Sequence, residues 1–226
     1  MSKLYIVATP IGNLEDITLR AIRTLSEVDM IFCEDTRVTN KLLSRYEIKT
    51  PLRRLDANVE KTRAKEVIDR LMGGESIAFV TDAGTPSISD PGYRLVGCVR
   101  QTLGDSFPIE PIPGPSALTA ALSISGIPSD KFVFLGFLPH KKGRQTLLKE
   151  IASIKRAVVL YESPHRILKL LGELNEYIGD REVFVARELT KKFEEVQSGT
   201  AEGIKGFFKE SRTVLKGEFV VIISEM

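Results

Sequence analysis

The sequence predicts an α/β protein of two lobes, the first built on an open and mostly parallel sheet. Three observations lead there. The chain has 226 residues with 42% hydrophobic content, enough for one large core or two ordinary ones. Short apolar runs bounded by turn residues alternate with longer segments of helical period, the pattern of βαβ units. Near the middle, Pro111, Pro113 and Pro115 crowd around Gly114. Prolines so closely spaced are excluded from a central strand, so the chain changes direction there. The lobes are placed at residues 1–114 and 115–226.

Strands are expected at residues 4–8, 30–33, 77–80, 132–135, 157–161, 183–186 and 219–223. The first follows Met1-Ser2-Lys3 and meets Thr9-Pro10 within a few residues, too soon for a signal peptide's apolar region or a membrane span. Ile17, Ala21, Ile22 and Leu25 share a helical face, as do Ala64, Val67, Ile68 and Leu71, with Gly73-Gly74 as the stop. After the proline break, residues 117–122 form a helix of small and apolar side chains.

Composition narrows the chemistry. With 32 Lys and Arg against 30 Asp and Glu, no global basic field points to nucleic acid, so any RNA contact rests on local patches. Cys33 and Cys98 form no CxxC pair, and His140 and His165 are the only histidines. A reduced, cytoplasmic protein without a metal is expected. GxxxxGK[ST], GxGxxG and GxSxG are all absent, which removes the main kinase, dehydrogenase and esterase signatures.

Instead, turn-rich loops follow predicted strands: residues 9–14, residues 81–92 and residues 163–166. In open α/β sheets the carboxyl ends of the strands form the ligand crevice, so such loops converge at one edge. Glu34 and Asp35, with Arg37 beside them, follow the second strand, and Glu162 with His165 occupies a similar place in the second lobe. Each is a candidate base, but acidic residues before Thr36 also fit a helix start, and His165 fits a first-turn position without a chemical role. Asp82 fits either a ligand contact or a turn cap. Lys141, Lys142 and Arg144, followed by Lys149, Lys155 and Arg156, form a local basic patch, and Arg20 and Arg37 add charge at the mouth of the crevice. Such a patch suits phosphate contacts or a solvated face.

Residues 9–21 (TPIGNLEDITLRA), 33–37 (CEDTR), 81–92 (TDAGTPSISDPG), 113–117 (PGPSA), 161–166 (YESPHR) and 187–191 (RELTK) resemble, in this order, the motifs of the ribosomal small-subunit RNA methyltransferase I family. That family is a branch of the tetrapyrrole methylase superfamily. The resemblance implies a two-lobed fold with a mixed second sheet, a homodimer, and S-adenosylmethionine bound between the lobes. It implies methyl transfer to the ribose 2′-hydroxyl of a cytidine in 16S ribosomal RNA, with the RNA or the small ribosomal subunit as partner. Carried over residue by residue, Pro10, Asp82, Gly84, Thr85, Ile88, Ser116, Ala117, Tyr161, Ala186, Gly217 and Glu218 hold the cofactor. Glu34, Arg37 and Glu162 are then the catalytic candidates, and Arg20, Lys141, Lys142 and Arg144 the RNA contacts. A methylase of the same fold acting on a tetrapyrrole or another small molecule is the alternative, and a non-catalytic cofactor-binding module is a third reading.

Overall fold

The computed structural model describes residues 2–56, 60–210 and 215–226. They form two units, Met1–Ser116 and Ala117–Met226.

The first unit is wound on five parallel strands: β1 (Leu4–Val7), β2 (Met30–Cys33), β3 (Leu52–Arg54), β4 (Ile77–Val80) and β5 (Ile109–Ile112), in the order β3-β2-β4-β1-β5. β2 and β4 are buried at every position because both faces of the sheet are covered, which is why they read as continuous apolar runs. On one face Val7, Ile31, Cys33, Ala78 and Val80 pack against α1 (Leu19–Glu27) and α2 (Thr36–Arg45). On the other, Leu4, Phe32, Ile77 and Phe79 pack against α3 (Glu60–Met72) and α4 (Tyr93–Leu103). Each large side chain buried here contributes about 1.5–3 kcal/mol. Thr18 caps α1 by accepting from the Ala21 amide, and Gly74, at φ +94°, ends the turn after α3.

Two of these strands are absent from the sequence expectation. β3 is a three-residue edge with Arg53 and Arg54 exposed, so it has no apolar run to betray it. β5 contains Pro111, in register with Ile6. It lies at the other edge and pairs only with β1, where a missing amide donor is tolerated.

The second unit opens with α5 (Ala117–Ser125) and builds a mixed sheet from β6 (Phe132–Phe137), β7 (Ala157–Glu162), β8 (Val183–Arg187), β9 (Glu195–Gly199) and β10 (Phe219–Ile223), in the order β6-β7-β10-β8-β9. β6 and β7 are parallel, and the remaining pairs are antiparallel. α6 (Arg144–Ser153), α7 (Ile167–Ile178) and α8 (Ala201–Glu210) cover one face through Leu148, Ile151, Leu170, Leu174, Ile204 and Phe208. α5 lies against β10. β9 was not expected: it is a half-exposed, largely polar edge. Among the described residues no helix is long and apolar enough to cross a membrane.

Candidate active site

In the first unit β2, β4, β1 and β5 are consecutive neighbours, so the loops at their carboxyl ends lie side by side. Hydrogen bonds join them from end to end. The Asp35 amide donates to Asp82 Oδ1 (3.0 Å), and the Asp82 amide donates to Glu34 Oε2 (3.4 Å). Thr9 and Gly84 exchange amide–carbonyl bonds of 2.9 and 3.0 Å, and Thr85 Oγ1 donates to the Pro115 carbonyl (3.1 Å). The chain leaves β1 toward α1 on one face and leaves β4 toward α4 on the other. The connections diverge between these two adjacent strands, the position at which open α/β sheets form a crevice.

The loop after β4 is held in an unusual shape. Gly84 and Gly92 have φ of +82° and +132°, and Ser87 and Ser89 have +74° and +63°. Non-glycine residues there cost on the order of 1–3 kcal/mol each, a strain that collects at functional loops. At Gly92 a Cβ would stand 2.8 Å from Ser87 Oγ and 2.9 Å from Phe79 Cε1, so the loop closes directly on the core. At Gly84 a Cβ would meet Ile11 Cγ2 at 3.4 Å, an ordinary contact. Gly84 is therefore needed for its backbone angle more than for empty space. Pro10 and Gly84 are buried, Thr85 is half-buried, and Ile88 stands exposed. Thr81 Oγ1, at the root of the loop, is buried without a hydrogen-bond partner.

Charge at this edge is divided. Asp35 caps α2 through the Arg37 amide (2.8 Å) and grips the Arg37 guanidinium at 2.6 Å, which holds its carboxyl well below the usual range. The helix-start reading of residues 34–37 is thus correct for Asp35. Glu34 has no ion-pair partner among the described residues. Burial, and then the charge of Asp82, push its carboxyl up, and burial likewise raises Asp82. Burial drives the Cys33 thiol up to about 11, which makes it inert at neutral pH. Asp82 is no cap of its own turn, because its carboxylate reaches across to the turn after β2.

In the second unit Tyr161 and Ala186 both pair with Val220, so the three residues form one cross-strand row near the sheet's edge. The Tyr161 hydroxyl accepts from the Leu118 amide (3.1 Å), capping the first turn of α5 next to Ala117, and its ring packs edge-on to Phe134 and Phe137. Gly217 and Glu218 lead into β10. A Cβ on Gly217 would collide with the Glu188 side chain. Lys191 Nζ bridges Glu188 Oε1 (2.8 Å) and Glu218 Oε2 (3.0 Å), closing a turn in which Glu188 and Thr190 have positive φ. Glu188 and Lys191 carried no role in the sequence reading beyond their place in the 187–191 motif. Ser116 and Ala117 join the two units covalently.

Two sequence assignments are corrected. Arg144 is only 3% exposed: its guanidinium forks onto Glu173 at 2.6–3.1 Å and donates to the Pro139 carbonyl, so it ties α6 to α7 instead of facing a phosphate. Lys141 and Lys142 remain exposed. Glu162 is fully buried, paired with Arg166 (2.6 Å) and bonded to the Ser163 amide, which makes it an internal brace of the β7–α7 turn. His165 stands exposed in that turn. Arg20, on α1, donates to the Pro111 carbonyl (3.4 Å) beside the end of β5.

The sequence and the fold are shared with known proteins. Residues 3–205 match the family model of tetrapyrrole (corrin/porphyrin) methylases. A ribosomal RNA small subunit methyltransferase I of Thermotoga maritima is 47% identical, the match covering 99% of both chains. A protein of the same name from Vibrio cholerae is 49% identical over 97% of this chain and 76% of its own. Among solved structures, a diphthine synthase (TM-score 0.74, 14% identity, covering 100% of this chain and 90% of that one) and a cobalt precorrin-4 methyltransferase (0.70, 17%, covering 98% and 94%) have the same fold.

Proposed function

The chain belongs to the tetrapyrrole (corrin/porphyrin) methylase family and, within it, to the ribosomal RNA small subunit methyltransferase I family; from that premise we propose that it moves a methyl group from S-adenosylmethionine to the ribose 2′-hydroxyl of a cytidine in 16S ribosomal RNA. The observation that carries this reading is the hydrogen-bonded belt of four loops at the edge of the first sheet, with the Glu34 carboxylate on it and without an ion-pair partner among the described residues. The belt suits the cofactor chemically. Thr81 Oγ1 is a buried polar atom awaiting a partner, Gly84 holds a left-handed turn, and Asp82 offers a carboxylate to a ligand that carries ammonium and sulfonium charge. Pro10, Thr85, Ile88 and Ser116 are the other cofactor candidates of this unit, and Ala117, Tyr161, Ala186, Gly217 and Glu218 those of the second.

When bound, S-adenosylmethionine supplies a methyl group activated by its sulfonium. The protein's task is then alignment and control of one proton. Glu34 accepts the 2′-hydroxyl proton, and the methyl group that the oxygen gains in its place would come from the cofactor held by the belt. A carboxylate pushed up by burial is a better base for this than an ordinary one, and a positioned base is worth about 10²–10⁴-fold in rate. Arg37, fixed by Asp35, steadies the ribose-phosphate beside it. The reading carries with it a cytoplasmic homodimer whose partner is the small ribosomal subunit.

Mass-spectrometric mapping of ribose methylation in small subunits from cells with and without this chain tests the proposal. One 2′-O-methylcytidine should vanish without it, and an unchanged 16S pattern would overturn the substrate assignment.

A further inference from the structure

We propose that the outward face of α2 is a track for RNA phosphates that begins at Arg37 and runs away from the belt of loops; this inference rests on the RNA reading above. α2 (TRVTNKLLSR) carries three cations and no acidic residue. Thr39, Leu42 and Leu43 are its buried face. Arg37, Lys41 and Arg45, four residues apart, therefore share the exposed side, over about 12 Å of helix. On three other helices an acidic residue of the same helix pairs with a cation, Glu66 with Arg63 and Arg70 of α3, Glu173 with Lys169 of α7, and Glu202 with Lys205 of α8; α2 has no such residue. Arg37 is held by Asp35, whereas Lys41 and Arg45 have no ion-pair partner among the described residues.

The acidic groups near the far end are Glu47 and the Glu15–Asp16 turn. That turn is brought close because the Tyr46 hydroxyl donates to the Leu14 carbonyl (2.7 Å). Neither reaches Lys41 or Arg45. The Arg45 guanidinium lies 5.6 Å from the Tyr46 ring centroid, so an aromatic face and a cation are presented together. A row of cations that starts one turn from Glu34, two of them without an ion-pair partner among the described residues, suits a flexible polyanion whose reacting sugar lies at Glu34. A single strand of RNA beside the target nucleotide has that chemistry, and phosphate contacts of this kind position without reading sequence.

The test uses the full chain with Lys41→Ala and Arg45→Ala together, and binding of small-subunit RNA measured by fluorescence anisotropy between 50 and 200 mM salt. Both side chains are exposed, so thermal unfolding and calorimetric S-adenosylmethionine affinity should stay at parental values. RNA affinity should fall about tenfold at the lower salt, and the slope of log K against log salt should shrink by about 1.4–1.8. An affinity and slope equal to the parent's would overturn the track while leaving the RNA reading intact. Absence of RNA binding by the parent itself would overturn both.

Discussion

At the edge of the first sheet, every tie between loops uses a backbone amide or carbonyl, either in the Thr9–Gly84 exchange or with a side chain of Asp82, Glu34 or Thr85, and the loop after β4 is shaped by residues with positive φ. At the edge of the second, the residues around Gly217 and Glu218 share one main-chain bond, from the Glu188 amide to the Glu218 carbonyl, and are held for the rest by side chains, with Lys191 between Glu188 and Glu218. The contrast bears on precision. Main-chain bonds and a forced φ leave little freedom, as a site that aligns a hydroxyl with a methyl donor requires. Ion pairs at a half-exposed edge are softer, because each exposed pair is worth only about 0–1 kcal/mol.

If that contrast is right, substitutions in the first region should cost most. Gly92→Ala places a Cβ 2.9 Å from Phe79 Cε1 in a backbone that disfavours any side chain. It should lower the urea-unfolding free energy by about 3 kcal/mol or more and abolish S-adenosylmethionine binding by calorimetry. Gly84→Val should abolish binding through its φ alone. Retained affinity in both variants would make the loop an ordinary turn.

Tyr161→Phe in the second region removes one acceptor from the Leu118 amide and keeps the ring contacts. A loss of about 1 kcal/mol, with a cofactor affinity lowered only a few-fold, is expected. A larger loss than in the glycine variants would reverse the ranking of the two regions.

The same contrast decides what was legible in the sequence. The long buried strands announce themselves as apolar runs, and the loop of residues 81–92 as a cluster of Gly, Pro, Ser and Asp. β3, β5 and β9 do not, because edge strands have one side exposed and tolerate Arg, Pro and alternating polar residues. The Lys191 bridge joins residues 27 positions apart, and no local pattern encodes it. The burial of Arg144 did leave a trace. It shares a helical face with Leu148 and Ile151, and that periodicity argues for the core over the charged surface suggested by the neighbouring lysines. Asp82 pairing across to the turn after β2 depends on β2 and β4 being neighbours, which the order of strands in the chain does not reveal.

Glu34 is where both lines of reasoning meet, and its titration gives the most direct test. Its folded-state pKa lies above the unfolded value, so the native chain holds this proton more tightly and stability falls as pH rises between the two values. Glu34→Gln should therefore unfold at a higher temperature than the parent at neutral pH. The decisive measurement is the single-turnover rate of 2′-hydroxyl methylation against pH, at saturating RNA and cofactor, for the parent and Glu34→Gln. In the parent the rate should climb with pH along a limb lying above the ordinary carboxylate range. The variant should lose that limb and be about 10²–10⁴-fold slower, with cofactor affinity retained. Equal rates and an unchanged limb would contradict a catalytic Glu34 and leave alignment alone to account for the reaction.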